Sequence, residues 1–347
     1  MIETRELQIG PRHPCFIIAE VAQAHDGSLG MAHAYIDAVA KAGVDAIKFQ
    51  THIAEEESSP EEPWRVEFSY QDKTRYDYWK RMAFTKAQWL GLKQHADQAG
   101  LIFLSSPFSI AAIRLLDEIQ TPAWKVASGE VNSLYLLEEM VRTGKPIILS
   151  SGMSYIEELD ERAAFFNRAK TQWALLECTS SYPTPPEQID LDQMSDYRDR
   201  YGCAVGLSDH SGTIYPGLAA TALGADIVEV HVCFSRELFG PDVQASLTLE
   251  ELKTMTEGIR FIQRMRQARE GKAARTARLE ELRAIFGKGI AARKDIKRGE
   301  RFSVDNITFV KPAKGIGAGA WKEVLDSAAS QDIPEKTFLS RDMILED

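Results

Sequence analysis

Two histidines, His210 and His231, each close a short apolar run, CAVGLSDH and DIVEVHV. Neutral imidazoles suit Mn, Fe, Co or Zn, and a pair of them leaves coordination positions open for carboxylate, water and substrate oxygen. An ion held that way polarises a carbonyl as a Lewis acid. Two lysines, Lys48 and Lys125, lie inside the apolar runs DAIKFQ and AWKVAS, where an unpaired ammonium is costly. They call for an anionic partner, supplied either by Glu20 and Glu130 or by a ligand. The hydroxyls of Ser106, Ser128 and Ser150 end or follow other apolar runs of the same kind and suit phosphate or carboxylate oxygens. A small di- or trianion, a phosphorylated carboxylate, accounts for the whole set.

The elements that must position these groups are short and repetitive. Between residues 16 and 234 eight apolar runs recur: FIIAE, DAIKFQ, LIFLSS, AWKVAS, PIILSS, WALLECT, CAVGLS and DIVEVHV. Runs without clean polar alternation are what strands buried on both faces look like. Helix-length segments follow most of them, such as SLGMAHAYIDAVAKAG and LYLLEEMVRTG, the latter stopped by Gly144 and Lys145-Pro146. The alternation predicts an α/β fold, a (β/α)8 TIM barrel. An open doubly wound sheet is the rival, but no G-x-G-x-x-G follows the first strand.

Polar residues gather at the strand ends: Glu20; Lys48 and Gln50; Ser105 and Ser106; Lys125, Ser128 and Glu130; Ser150 and Ser151; Thr179, Ser180 and Tyr182; Ser208, Asp209 and His210; and His231. That is the face where TIM barrels carry catalytic groups. Residues 54–81, acidic and then aromatic, separate the second strand from its helix. They read either as a binding loop or as a solvated excursion. The last barrel helix is expected through LEELKTMTEGIRFIQRMRQARE, with Leu252, Met255, Ile259, Ile262 and Met265 on its buried face. This gives a barrel over residues 1–270, a flexible basic joint at 271–284 and a small β-rich domain over 285–347.

Composition sets the outer limits. The 347 residues are 44% hydrophobic and 27% charged, an ordinary globular balance. A formal net charge of −10 argues against a nucleic-acid or membrane-surface binder. No apolar run approaches the ~18 residues of a bilayer span, and the N-terminus lacks a signal-like core. The scattered Cys15, Cys178, Cys203 and Cys233 have no zinc or disulfide spacing, so reduced thiols in a cytoplasmic protein are expected.

Taken together, AEVAQAHDGS, IKFQTH, SSPFS, WKVASGE, SSGM, CTSSYPTP, GLSDHSG, EVHVCF and GPDVQASL resemble the sialic acid synthases of the N-acetylneuraminate synthase type. The tail, ARKDIKRGERFSVDNI followed by VKPAKGIG, resembles that family's antifreeze-like (SAF) domain. The resemblance spans nearly the whole chain. It implies condensation of phosphoenolpyruvate with the open-chain aldehyde of an N-acetylated hexosamine to a nonulosonic acid and phosphate. It implies that Lys48, Ser106, Lys125, Ser128, Ser150, Ser180 and Ser208 hold phosphoenolpyruvate. His210 and His231 would bind Mn or Mg, and Glu20 would position or deprotonate the attacking water. Gln50, Glu130, Tyr182, Asp242 and Lys311 would face the amino-sugar acceptor. A domain-swapped homodimer is implied as well.

The chain departs from the family pattern at Ala24-His25-Asp26-Gly27, Val230, Val243 and Lys311-Pro312. At the last the family has Arg, whose planar fork Lys cannot supply. These changes fall around the sugar rather than the metal and phosphoenolpyruvate residues, so an altered acceptor is expected, such as a deoxy or diacetamido hexose. Two other readings stay open. One is a phosphoenolpyruvate-dependent aldol-type synthase using another aldose; the other is a non-catalytic carbohydrate-binding protein.

Overall fold

The computed structural model describes residues 1–267, 271–325 and 327–345. It divides into two compact units, Met1–Gln267 and Ala268–Asp347. The first is the expected barrel. Its strands are β1 (Phe16–Ala22), β2 (Ala46–Thr51), β3 (Ile102–Pro107), β4 (Trp124–Val126), β5 (Ile147–Ser150), β6 (Trp173–Cys178), β7 (Ala204–Asp209) and β8 (Ile227–Cys233). All are parallel, laddered in the order β3-β2-β1-β8-β7-β6-β5-β4. β3 and β4 lie side by side without a ladder, so the barrel is nearly closed.

The strands are apolar on both faces because each face has its own core. Ile17, Ala19, Ile47, Phe49, Val205 and Val228 point outward and pack with the helices. Phe16, Ile18, Ala46, Leu104, Ile148, Ala174 and Ile227 fill the interior at the amino-terminal ends. Ile2, Leu7 and Ile9 join that inner layer from a short N-terminal hairpin, which has no counterpart among the expected elements. Val230 lies in the outer core. The change at that position therefore faces the helices rather than the cavity.

Three expectations need correction. Residues 54–81 are not a solvated excursion: they contain helix Ala54–Glu57 and most of helix Arg75–Met82, the latter capped by Thr74 accepting from Asp77 N. Ala54, Tyr78, Trp79 and Met82 form a small core of their own, with Trp64 and Phe68 packed on it. The helix Leu249–Gln267 buries Leu252, Met255 and Ile259. Met265, expected on the same stripe, is 56% exposed, because the packed stripe ends near Ile259. Its expected continuation to Glu270 lies outside the described residues. Finally, the 271–284 joint contains helix Lys272–Ala277 and most of helix Glu280–Phe286, with no residue of either buried.

The second unit is β-rich, with an antiparallel pair, Gly289–Ala292 with Ile307–Val310. Ile290, Phe302, Ile307, Val324, Ile333 and Leu339 form its core. No helix among the described residues is long and apolar enough to cross a membrane. All four cysteines are buried and unpaired.

Candidate active site

Side chains alternate across a strand, so each barrel strand that sends an apolar residue inward at its start sends a polar one inward near its end. β1 turns from Ile18 to Glu20, β2 from Ala46 to Lys48 and Gln50, and β8 from Ile227 to Glu229 and His231. All of these polar groups line one cavity of about 1020 Å³. The cavity also takes Ser106, Lys125, Ser128, Glu130, Ser150, Ser180, Tyr182, Ser208, His210 and Asp242. Ser105, Ser151, Thr179 and Asp209 do not line it; they bond to Thr51, Glu177, Gln188 O and Ser211 instead. Lys311 belongs to the second unit, where its ammonium lies 5.2 Å from the Phe286 ring centroid.

A buried ion network forms the floor. Lys48 Nζ is 2.6 Å from Glu20 Oε2 and 3.7 Å from Glu229 Oε1, and Lys125 Nζ is 3.4 Å from the same Glu229 oxygen. The lysines therefore pair with Glu20 and Glu229. Glu130, the expected second partner, sits on the turn Ser128–Glu130 after β4 and accepts from Ser133 Oγ instead. Glu229 was not among the expected site residues. The signal was there: it is a charge in an apolar strand, two residues before His231 and so on the same face.

Hydroxyls surround this floor. Lys125 Nζ donates to Ser150 Oγ at 2.7 Å, Lys48 Nζ to Ser106 Oγ at 3.4 Å, and Ser208 Oγ to Glu229 Oε1 at 3.2 Å. Gly152 lets two more converge, since a Cβ there would lie 2.4 Å from Ser180 Oγ and 2.6 Å from Ser128 Oγ. Glu229 Oε2 is buried without a hydrogen-bond partner.

Burial pushes the Glu20 pKa up to about 7, against the pull of the Lys48 ammonium. Burial works against charge on Lys48 too, but Glu20 and Glu229 outweigh it and raise its pKa. Lys125 is lowered by burial and by Lys48, although Glu229 opposes this. For Glu229 burial favours the acid, yet Lys125 and then Lys48 outweigh it and hold the carboxylate ionised.

Above the floor stand the two histidines, ring centroids 5.1 Å apart. Burial lowers both pKa values to about 3, with His231 and Lys48 as the next causes for His210 and His231 respectively. Both rings are therefore neutral. His210 Nδ1 lies 3.0 Å from Thr179 O, an acceptor, which puts the hydrogen on Nδ1 and leaves the Nε2 lone pair free. Asp242 Oδ2 is 4.0 Å from His231 Nδ1. Among the described residues no group of three or more His, Cys, Asp or Glu is gathered for a metal. Two neutral imidazoles with a nearby carboxylate are a donor set for an open, catalytic ion and not for a closed structural one.

The outer wall comes from the 54–81 excursion. Arg65 donates to Asp242 Oδ1 at 2.5 Å and Pro241 O at 3.1 Å, and its guanidinium carbon lies 4.3 Å from the Tyr182 ring centroid. The Tyr182 ring in turn packs 4.1 Å from His210. Glu55, Glu56, Glu57, Glu61 and Glu62 line the same side, with Arg65 and Arg75 as the basic residues there. Arg65 had no signal in the sequence, because its partners lie 176 and 177 residues away. The Ala24–Gly27 departure is local structure. Asp26 holds Arg81, and a Cβ on Gly27, at φ +74°, would meet Arg81 O at 2.4 Å.

The buried histidines fix an expected pH response of the metal-free protein. His25, like His210 and His231, is pushed by burial to about 3. The unfolded chain takes up three protons below about 6.5 that the folded chain refuses until about 3, so each costs stability as pH falls. Glu20 and Asp209, raised by burial to about 7 and about 6, oppose this. Their folded forms gain two protons before the unfolded carboxylates do. Burial raises Glu130, Glu177 and Asp226 as well, and they oppose it too. Below about 4.5 the unfolded carboxylates also protonate, so the raised carboxyls stop opposing and the loss of stability with falling pH should steepen. Urea midpoints across this range should show that break, and a single uniform slope would contradict it.

The NeuB family model matches residues 35–270, and the SAF domain model residues 287–345. The N,N'-diacetyllegionaminic acid synthase of Campylobacter jejuni is 34% identical, over 93% of this chain and 98% of that protein. The human N-acetylneuraminate-9-phosphate synthase is 30% identical over 86% and 84%. Among solved structures, the N-acetylneuraminic acid (sialic acid) synthetase of Leptospira borgpetersenii, in complex with citrate, superposes with a TM-score of 0.71 at 29% identity. It covers 81% of this chain and 95% of that one.

Proposed function

Because the chain belongs to the NeuB family, we propose that this enzyme condenses phosphoenolpyruvate with the open-chain aldehyde of an N-acetylated amino hexose, giving a nonulosonic acid and phosphate. The observation that carries the reading is the Lys48–Lys125 pair, ringed by hydroxyls beneath His210 and His231.

Lys48, Lys125, Ser106, Ser128, Ser150, Ser180 and Ser208 take the phosphate and carboxylate of phosphoenolpyruvate, and charge-assisted bonds are the strong ones for such oxygens. The lysines also stabilise charge on the departing phosphate. Glu20, with a pKa near 7, both accepts and returns a proton near neutral pH. It takes the proton of the water that adds at C2. His210 and His231 hold Mn or Mg, which when bound polarises the acceptor aldehyde. Gln50, Glu130, Tyr182, Asp242 and Arg65 orient the sugar.

The acidic outer wall of Glu55, Glu56, Glu57, Glu61 and Glu62 disfavours a phosphorylated aldose. This supports an uncharged acetamido or diacetamido acceptor over the alternative aldol-type synthase. The same reading makes the molecule a domain-swapped homodimer, with the C-terminal module and its Lys311 crossing to the partner subunit. Its mass in solution tests the dimer.

The direct test of function is phosphate release from phosphoenolpyruvate with a panel of N-acetylated amino sugars, with and without chelator. Release is expected with at least one sugar and should stop with chelator. If no sugar elicits metal-dependent release, the assignment fails.

A further inference from the structure

His52 follows β2 directly and is 6% exposed. Its ring is held between two others: Trp79 at 3.8 Å and 16°, and Phe108 at 4.3 Å and 11°. Trp79 comes from the helix Arg75–Met82 and Phe108 from the turn after β3. Stacked on both faces, the imidazole can only act through its edge. Nδ1 meets Glu57 Oε1, and Nε2 lies 3.2 Å from Gln50 Oε1. Gln50 Nε2 in turn donates to Glu20 Oε1 at 3.0 Å.

The order of these groups decides the hydrogens. A carboxamide has one donor end and one acceptor end. Gln50 turns its donor to the Glu20 carboxylate, so its oxygen faces His52, and His52 Nε2 must carry a hydrogen in addition to the one Nδ1 directs at the Glu57 carboxylate. With Glu20 ionised, as its pairing with Lys48 favours, the reversed amide would set oxygen against oxygen. Gln50 is thus committed at both ends, which a residue serving the sugar alone would not be.

We propose that His52 is a positioning residue: clamped by Trp79, Phe108 and Glu57, it locks the Gln50 amide and thereby fixes Glu20 Oε1. Glu20 Oε2 is left to Lys48, so the carboxylate presents a single orientation to the reacting centre. The catalytic consequence rests on the condensation reading above; the hydrogen-bond chain does not. It also gives the 54–81 excursion a task, since Glu57 and Trp79 belong to it.

His52→Phe keeps a flat ring between Trp79 and Phe108 and removes both nitrogens. It is expected to lower kcat by about 10–100-fold, the scale of a misplaced catalytic group, with KM for phosphoenolpyruvate within about twofold. His52→Gln, which restores a donor toward Gln50, should recover most of the loss. Unchanged kcat in His52→Phe, or no recovery in His52→Gln, overturns the proposal. A second measurement stands apart from turnover and from the folding of any variant. In the wild-type protein, long-range proton–nitrogen correlation of the His52 ring should show hydrogen on Nε2. A bare Nε2 overturns the lock even if the enzyme condenses sugars as proposed. A protonated Nε2 upholds it even if no sugar is turned over.

Discussion

Replacing Lys125 with Met is expected to abolish measurable condensation, lowering kcat/KM by about 10³-fold or more. Two charge-assisted bonds to a phosphate or carboxylate, at ~1.5–3 kcal/mol each, account for about that factor. The same change should destabilise the fold. Lys125 is 2% exposed and shares Glu229 with Lys48, and breaking a buried pair costs about 3–5 kcal/mol because the partner is left uncompensated. The two effects separate in a double variant. Glu229→Leu alone strands Lys125, whereas Lys125→Met with Glu229→Leu removes both charges and leaves Lys48 paired with Glu20 at 2.6 Å. Stability by urea unfolding should therefore recover in the double variant, while phosphate release stays abolished. If activity returned together with stability, Lys125 would be a structural partner and not a ligand for the anion.

His231→Ala is the second large effect. Metal-assisted polarisation is worth several kcal/mol, so losing one of the two proposed imidazole ligands should cost about 10³-fold in kcat. The fold should persist, because His231 sits above the apolar layers and its close ring neighbours are Tyr182 and His210. Calorimetric titration with Mn should show binding to the wild-type protein and none to the variant. His210→Ala should behave the same way, and it also removes the hydrogen bond that His210 Nδ1 donates to Thr179 O. Retained Mn binding in both variants would place the ion elsewhere.

The buried lysines and histidines of the candidate site were readable because their signals are local. A lysine in DAIKFQ or AWKVAS, or a histidine at the end of DIVEVHV, stands out against apolar neighbours whatever the tertiary structure. Strand alternation then assigns it a face. Glu229 obeys the same rule, two residues before His231 in DIVEVHV. The outer site followed no such rule. Arg65, His52 and Glu57 lie in or beside an excursion whose sequence reads as acidic and aromatic surface. Met265 failed for a related reason: helical period places it on the stripe, but burial needs something to pack against, and the packing ends near Ile259.

The sequence by itself determined the barrel and the polar ends of its strands, with the buried lysines and histidines among them. Two-residue and 3.6-residue periods are properties of the chain, and a charge among apolar residues carries its own cost. Only the tertiary structure decided which carboxylates the lysines use, what closes the cavity and what holds Glu20. Those interactions join segments as far apart as Arg65 and Asp242. No spacing encodes them, because they depend on how the strands close into a barrel and on where the folded excursion between β2 and its helix comes to rest over it.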